Sequence, residues 1–216
     1  MIYARGIMEQ SGVVASKRQR FRQSSVLWHR FLAFGSSATQ HAGEKRAALD
    51  RLAFEDEAER SRMQRWRRAR TMRLDEQLQR VMGPTARFRG VQEAAIKAIV
   101  SGDSPVVAVM ATGGGKSLLF MLPAACSTGG MTVVVVPLIS LRQDLRRRCE
   151  AMGMRCEEWD GRRPPDAAAV VLVTPESAVS GGFMTFLNRM RATRQLDRIV
   201  VDECHVVLNR RYDFRK

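Results

Sequence analysis

The second half of the sequence predicts an α/β fold in which a parallel sheet is covered by helices on both faces. Short runs that are apolar throughout, such as Met131–Val136 and Ala169–Val173, alternate with longer segments of helical composition. Strands that are apolar on both faces are typical of parallel sheets buried between helices. Between the apolar run Val106–Met110 and a Leu- and Met-rich segment lies a glycine-rich turn, which gives the strand–turn–helix order that binds phosphate.

The phosphate-binding turn consists of Gly113, Gly114, Gly115, Lys116 and Ser117. Glycines let successive backbone N–H groups point into one hollow, and the following helix N-terminus adds partial positive charge. In such a turn the lysine binds the outer phosphates and the serine hydroxyl is a ligand of Mg²⁺. Met110 stands where the general pattern has its leading glycine. A glycine-rich loop with an incidental Lys-Ser pair is therefore the alternative.

Two adjacent carboxylates, Asp202 and Glu203, follow the last apolar strand, Arg198–Val201. Ligands of open parallel sheets bind at the carboxyl ends of the strands. We therefore expect Asp202 to hold Mg²⁺ and Glu203 to orient and polarise the attacking water, because phosphoryl transfer relies on positioning and charge stabilisation. The alternative is an acidic strand end that faces solvent.

The sequence divides into three parts. Residues 1–43 show no sustained period and are expected to be a basic, disordered tail and linker. Residues 44–81 contain no Pro or Gly and predict one basic amphipathic helix that packs on the next domain, with a DNA-contacting helix as the alternative. Residues 82–216 form the α/β domain, with further helices predicted over residues 91–100, 117–125, 138–152 and 183–194.

The composition indicates a polyanionic partner. Of the net charge of +14, most lies in residues 1–90, which hold 19 Lys and Arg against 9 Asp and Glu. Such an excess most often means nucleic acid, and a merely soluble Arg-rich surface is the alternative. No run of about 18 apolar residues and no secretory pattern occurs, so we expect no membrane partner. The four cysteines form no CxxC pair, which favours a reducing compartment over a zinc site or disulfides.

Six ordered blocks extend this pattern: Phe88-Arg-Gly-Val-Gln92, MATGGGKS at residues 110–117, VPLISLRQD at residues 136–144, VTPESA at residues 173–178, DECH at residues 202–205 and Tyr212-Asp-Phe-Arg215. Together they resemble the first motor domain of RecQ-type superfamily 2 DNA helicases, over roughly residues 78–216. The first motif of that family also lacks the leading glycine, so the departure at Met110 favours the family.

The resemblance implies a RecA-like P-loop NTPase domain of an ATP-dependent 3′–5′ DNA helicase that uses ATP and Mg²⁺. It implies that Gln92 reads adenine, through an amide that both accepts and donates. Phe88 and Arg89 lie beside it in the same block, and Thr112 belongs to the phosphate loop. His205 links hydrolysis to the DNA side. Contacts with single-stranded DNA are implied for Ser140, Arg142, Thr174, Phe214 and Arg215.

Two of these DNA contacts have simpler alternatives, because Ser140 also suits a helix cap and Thr174-Pro175 an ordinary strand-to-helix turn. The stretch Val206–Arg211 lacks the tryptophan of the family's aromatic-rich loop. Arg210 can substitute by stacking its guanidinium plane on a base.

The family pattern continues beyond the blocks found here, with a further strand and then a second RecA-like domain that supplies arginine fingers. In this fold that strand lies between the phosphate-loop strand and the Asp-Glu strand. We therefore expect a domain that is incomplete at its C-terminus and a sheet with an unfilled slot at that position. Arginine fingers increase the rate of phosphoryl transfer by roughly 10³–10⁵ in comparable enzymes. Without them we expect a weak or inactive ATPase.

The sequence thus predicts the ATP-binding part of a nuclear RecQ-like helicase of DNA repair or recombination, with single-stranded or forked DNA and a second RecA-like domain as partners. One alternative is a non-catalytic nucleic-acid-binding remnant of a helicase that acts through its basic N-terminal region. The other is a superfamily 2 translocase that acts on RNA.

Overall fold

The structure, a computed structural model, describes residues 2–4 and 38–203. The chain divides into one unit of residues 1–7 and 57–216 and a second unit of residues 8–56. The described part of the second unit, residues 38–56, is helical, and the larger unit contains the sheet. Among the described residues, no helix is both long and apolar enough to cross a membrane.

The strands are β1 (Ile2–Ala4), β2 (Val106–Val107), β3 (Met131–Val135), β4 (Cys156–Glu158), β5 (Val170–Val173) and β6 (Leu196–Val201). The helices are α1 (Ala38–Thr71), α2 (Leu74–Met82), α3 (Gln92–Ser101), α4 (Leu118–Cys126), α5 (Ile139–Ala151), α6 (Pro175–Ala178) and α7 (Gly181–Ala192).

These strands form one sheet in the order β2-β1-β6-β3-β5-β4. Strands β6, β3, β5 and β4 are parallel, whereas β1 is antiparallel to both of its neighbours. Tyr3 pairs with Val106 on one side and with Val200 on the other. The expectation of an unfilled slot between the phosphate-loop strand and the Asp-Glu strand is therefore wrong, because β1 lies there.

Both faces of the central strands β3 and β5 are buried, as their apolar runs predict. Val134 of β3 belongs to a core cluster with residues of α2, α3, α4 and α5. Its neighbour Val133 belongs to a second cluster on the other face, with Phe183 and Phe186 of α7. The ring of Trp159 packs edge-on against Phe183, at 5.1 Å between centroids. The predicted parallel sheet flanked by helices is confirmed.

The single helix expected over residues 44–81 is interrupted between α1 and α2. Thr71 ends α1, and its hydroxyl donates to the backbone carbonyl four residues earlier at 3.0 Å. Arg73 is extended, with φ −82° and ψ 108°. Its guanidinium pairs with Asp75 and Glu76 in the first turn of α2, where negative charge stabilises a helix N-terminus. A count of helix-forming residues does not detect such local contacts.

A largely buried ion pair joins the last part of α1 to β6 within the larger unit. Arg65 Nη2 lies 3.3 Å from Asp197 Oδ1, and the two side chains are 11% and 4% exposed. The same Nη2 also donates to the carbonyl of Arg194 at 2.5 Å. A Cβ on Gly130 would lie 1.8 Å from Asp197 Oδ2, so this glycine makes room for the carboxylate. Residues 57–71 of α1 thus contact the α/β domain through specific polar bonds.

Three short elements were not predicted: β1, β4 and α6. Strand β4 lies at the sheet edge and carries two glutamates. Charged residues are typical of edge strands, but they give no apolar pattern from which the strand could be predicted. The phosphate-loop strand β2 is shorter than the predicted run Val106–Met110, and Val109 beyond it is 89% exposed. Short elements of this kind depend on their neighbours in the sheet more than on their own sequence.

Candidate active site

The phosphate-binding loop connects β2 to α4, and steric demands explain its three glycines. Gly113 and Gly115 have φ of 79° and 75°, in the left-handed region that disfavours side chains. A Cβ on Gly114 would lie 2.9 Å from the carbonyl oxygen of Ala111, and a Cβ on Gly115 would lie 2.6 Å from Nε2 of Gln92. A side chain at any of the three positions therefore strains or shifts the loop.

Lys116 joins the phosphate-binding loop to the acidic turn after β6. Its Nζ lies 2.8 Å from Oε1 of Glu203, 87 residues further along the chain. The two side chains are 23% and 26% exposed, so solvent screens this ion pair only in part. The sheet thus brings together two charged residues that the sequence assigned separately to one site.

Asp202 is fixed at the carboxyl end of β6. Its backbone N–H donates to the carbonyl of Val135 at 3.0 Å, and its Oδ1 accepts the backbone N–H of Glu203 at 3.0 Å. Burial raises the pKa of the Asp202 carboxyl, and the charge of Glu203 adds to the increase. The backbone N–H of Glu203 and the ammonium group of Lys116 lower this pKa in part. Carboxylates whose pKa is raised by burial are common at functional sites, so Asp202 is a candidate functional residue.

Glu203 has a strained backbone. Its φ is 46°, which is uncommon for a residue with a side chain. Such a conformation costs on the order of 1–3 kcal/mol and is found disproportionately at active sites. Here it turns the chain directly after β6 and places the carboxylate on Lys116.

Gln92 connects the start of α3 to the phosphate-binding loop. Gln92 is 4% exposed, and its Oε1 accepts the backbone N–H of Arg89 at 2.8 Å. Its Nε2 donates to the carbonyls of Gly114 at 3.0 Å and Gly115 at 3.4 Å. Phe88 before it is half-buried and packs against the core. An amide has two donor hydrogens and an acceptor with two lone pairs, so these bonds use both donors and leave one acceptor site on Oε1 for a ligand.

A cavity of ≈ 640 Å³ opens beside the loop, within the usual size range for ligand sites. Its polar lining includes Arg89, Gln92, the three glycines, Ser117 and Arg148. Apolar side chains, among them Met121 and Met152, also line it. Thr112 lies in the same loop and is exposed. The cavity therefore offers an apolar surface for a base next to a polar loop suited to phosphates.

Comparison with known proteins identifies the family of this domain. Residues 89–216 match the family described as DEAD/DEAH box helicase. The chain belongs to this helicase family. The match contains the glycine-rich loop, Gln92 and the Asp202–Glu203 turn, whereas part of the cavity lining, from Leu78 to Arg87, precedes it.

The helicase relatives support the predicted RecQ-type resemblance. The chain is 34% identical over 160 residues to "ATP-dependent DNA helicase Q5" of Rattus norvegicus, covering 68% of this chain and 16% of that protein. It is 36% identical over 146 residues to "ATP-dependent DNA helicase hus2/rqh1" of Schizosaccharomyces pombe, covering 59% and 11%. It is also 34% identical over 144 residues to "ATP-dependent helicase SGS1" of Saccharomyces cerevisiae, covering 59% and 10%. The chain spans less than a fifth of the length of each.

The helicase site contains oxygen donors that fit Mg²⁺. The predicted ligands are the Ser117 hydroxyl and the Asp202 carboxylate, which are the hard donors that Mg²⁺ prefers. The raised pKa of Asp202 shows that burial outweighs the nearby positive charge of Lys116. A bound cation would lower this pKa and relieve the cost of the buried carboxylate.

The residues predicted to contact DNA have varied surroundings. Ser140 is exposed and lies inside α5, whose N-cap is Leu138, so the alternative of a capping serine is wrong. Arg142 Nη1 lies 2.6 Å from Glu158 Oε2, and the arginine side chain is 15% exposed. Thr174 caps α6, as its alternative predicted, by accepting the backbone N–H of residue 177 at 3.2 Å. The remaining predicted residues, His205, Arg210, Phe214 and Arg215, lie outside the described residues.

The structure adds one residue that the sequence did not single out. Arg148 lines the cavity, and its Nη1 lies 3.5 Å from Ser117 Oγ. The sequence shows a basic run at residues 146–148 within a helix but not which arginine faces the loop. That depends on how α5 packs on the sheet.

Proposed function

We propose that this chain binds ATP and Mg²⁺ as the first RecA-like motor domain of a RecQ-like, 3′–5′ DNA helicase, and that it contacts single-stranded DNA. The contact of Lys116 with Glu203 at 2.8 Å carries the proposal. It supports an ATP site because it joins a phosphate-binding loop to a carboxylate suited to positioning water. These are the two parts that phosphoryl transfer requires.

Each residue of the site has a separate proposed role. The Lys116 ammonium has three donors, so it can bind the outer phosphates without losing Glu203. Ser117 and Asp202 hold Mg²⁺, which supplies neutralising charge to the phosphate oxygens. Glu203 orients the attacking water and accepts its proton, and the strained backbone at φ 46° fixes the carboxylate for that task.

The base is proposed to contact the apolar part of the cavity lining. Gln92 would accept a hydrogen bond from the adenine edge with the Oε1 lone pair that its contacts with Arg89, Gly114 and Gly115 leave. Because the same amide holds the carbonyl of Gly114, base recognition and the shape of the phosphate loop are connected through one side chain. Phe88, Arg89 and Thr112 complete the nucleotide site in this proposal.

The DNA side is proposed from the resemblance to RecQ-type helicases. Thr174 directly follows β5, and Ser140 and Arg142 lie in the first turn of α5, which follows β3. In this proposal they contact the phosphate backbone without reading bases, and Arg142 does so beside its partner Glu158. His205, Arg210, Phe214 and Arg215 are proposed to couple the DNA strand to hydrolysis.

The test is nucleotide binding and ATP hydrolysis by the purified chain, with and without single-stranded DNA. Lys116→Ala should abolish binding, and Glu203→Gln should keep binding but abolish hydrolysis. Matched controls are Lys97→Ala and Glu93→Gln in α3, whose side chains are 70% and 58% exposed and pair with each other at 3.9 Å. Turnover of the chain alone should be weak, and DNA should increase it.

Other outcomes distinguish the alternatives. Nucleotide binding that survives Lys116→Ala would contradict the proposed site. Salt-sensitive DNA binding that is indifferent to Lys116→Ala and retained by residues 1–80 would favour the nucleic-acid-binding remnant. Preferential stimulation by RNA in a competition between the two strands would favour an RNA translocase.

A further inference from the structure

The last turn of α5 directs one arginine toward the nucleotide cavity. Three consecutive arginines occupy residues 146–148, and of these Arg148 belongs to the cavity lining. Its Nη1 lies 3.5 Å from Ser117 Oγ, directly after the phosphate-binding lysine. All three side chains are exposed, but Arg146 pairs with Glu150 at 2.9 Å, and neither Arg146 nor Arg147 lines the cavity. The three neighbours therefore have the same charge but different surroundings.

The surroundings of Arg148 suit an anion. Its Nη2 lies 2.6 Å from Asp144 Oδ2, an i,i+4 pair that orients one edge of the guanidinium. Nη1 extends on the other side toward Ser117. A guanidinium presents its donors in a rigid plane that matches phosphate oxygens, and one edge held by a carboxylate makes the other edge better ordered.

We infer that Arg148 binds the phosphate chain of the nucleotide beside Ser117. The expected ligand is a nucleoside di- or triphosphate, and the inference rests on the proposed ATP site. The phosphates are favoured over the base because Arg148 Nη1 lies 3.5 Å from the hydroxyl of Ser117, the residue directly after Lys116. Arg148 thus adds a cation from α5 to the Lys116 of the loop, and it contributes to affinity.

The experiment measures the affinity of ATP, ADP and adenosine for the full chain by competition with a fluorescent nucleotide. Arg148→Gln should weaken ATP and ADP binding roughly 10-fold, the loss expected for one charge-assisted hydrogen bond. Arg148→Lys should recover part of that loss. Arg147→Gln removes the same charge one residue away and should change affinity less than about twofold. Adenosine, which has no phosphate, should bind equally to all four proteins.

The design separates this inference from the proposed function. If the unchanged chain binds no nucleotide, both are overturned. If it binds ATP but Arg148→Gln and Arg147→Gln weaken binding equally, only the inference on Arg148 is overturned, because the effect is then one of net charge. A loss that extends to adenosine would also overturn it. Since the Arg148 side chain is 56% exposed, the fold should tolerate both replacements, and thermal unfolding of each variant verifies this.

Discussion

Asp197→Asn tests whether the last part of α1 is a structural part of the α/β domain. The replacement keeps the shape of the side chain and leaves Arg65, 11% exposed, without its carboxylate at 3.3 Å. Removing one partner of a buried ion pair costs about 3–5 kcal/mol, because the remaining charge is uncompensated. We expect about 3 kcal/mol, the lower limit, because the separation is long and Arg65 keeps the carbonyl of Arg194. That loss corresponds to a decrease in Tm of roughly 6–12 °C for a chain of this size.

The assay is thermal and urea unfolding followed by circular dichroism, with Arg65→Met and the double variant completing a cycle. The double variant should cost less than the sum of the single variants by more than about 1 kcal/mol, because neither charge is then left alone. The matched control is Asp166→Asn, which breaks a half-exposed pair with Arg189 and should cost less than about 1 kcal/mol. A coupling below about 0.5 kcal/mol would refute the structural role of residues 57–71. It would also favour a separable basic module at the N-terminus.

Three further predictions concern the loop, the acidic turn and β1. Gly115→Ala should weaken ATP binding at least about 10-fold in a nucleotide titration. The new Cβ would clash with the amide of Gln92, and the backbone at this position is left-handed, which disfavours a side chain. Unchanged binding would contradict the loop geometry. Asp202→Asn should increase Tm at neutral pH. Burial raises the pKa of the Asp202 carboxyl in the folded state above its ordinary value of 3.8. The protonated carboxyl therefore stabilises the fold fully at pH values below the pKa of the unfolded state, and this stabilisation is lost as the pH increases through the pKa of the folded state. The replacement should therefore flatten the dependence of Tm on pH across that window, and an unchanged slope would refute this. Tyr3→Pro removes a backbone donor from β1, which pairs on both sides, and should lower the free energy of unfolding by about 3 kcal/mol. It should also speed amide exchange in the flanking strands, whereas the control Tyr3→Val should do neither. Equal behaviour of the two variants would show that β1 adds nothing to the sheet.

The fold was predictable where the sequence pattern is long and strong. Strands such as Met131–Val135 and Val170–Val173 are apolar at nearly every position, and that pattern occurs when both faces of a strand are buried. Strand β1, strand β4 and helix α6 have only three or four residues and do not belong to a longer apolar run, so the sequence pattern does not identify them. The interruption after Thr71 was missed because it depends on individual hydrogen bonds and charges in an otherwise helical composition.

The candidate site was predictable where backbone chemistry restricts the residue type. A glycine-rich loop followed by Lys116 and Ser117, between a strand and a helix, is typical of phosphate binding, and two carboxylates after an apolar strand are expected to lie near it in a parallel sheet. The direct contact of Lys116 with Glu203 was not predictable, because it depends on the strained backbone that turns the glutamate. The bonds of Gln92 to the loop were missed for a similar reason: the sequence indicated a base reader and not a side chain that also holds the loop.

Strand β1 connects residues 2–4 to the proposed ATP site in a way that no sequence motif indicates. β1 forms hydrogen bonds on one side with β2, which leads into the phosphate-binding loop, and on the other with β6, which leads into Asp202 and Glu203. Two unpaired strand edges at this position would expose backbone groups to water and weaken the register between the two halves of the site. Lys116 and Glu203 lie 2.8 Å apart, and the two strands that lead to them both pair with β1, so the pairing of residues 2–4 and the geometry of the site depend on the same hydrogen-bonded ladder. A change of stability at β1 is therefore expected to reach nucleotide binding through the backbone, without any contact between the N-terminal residues and the nucleotide.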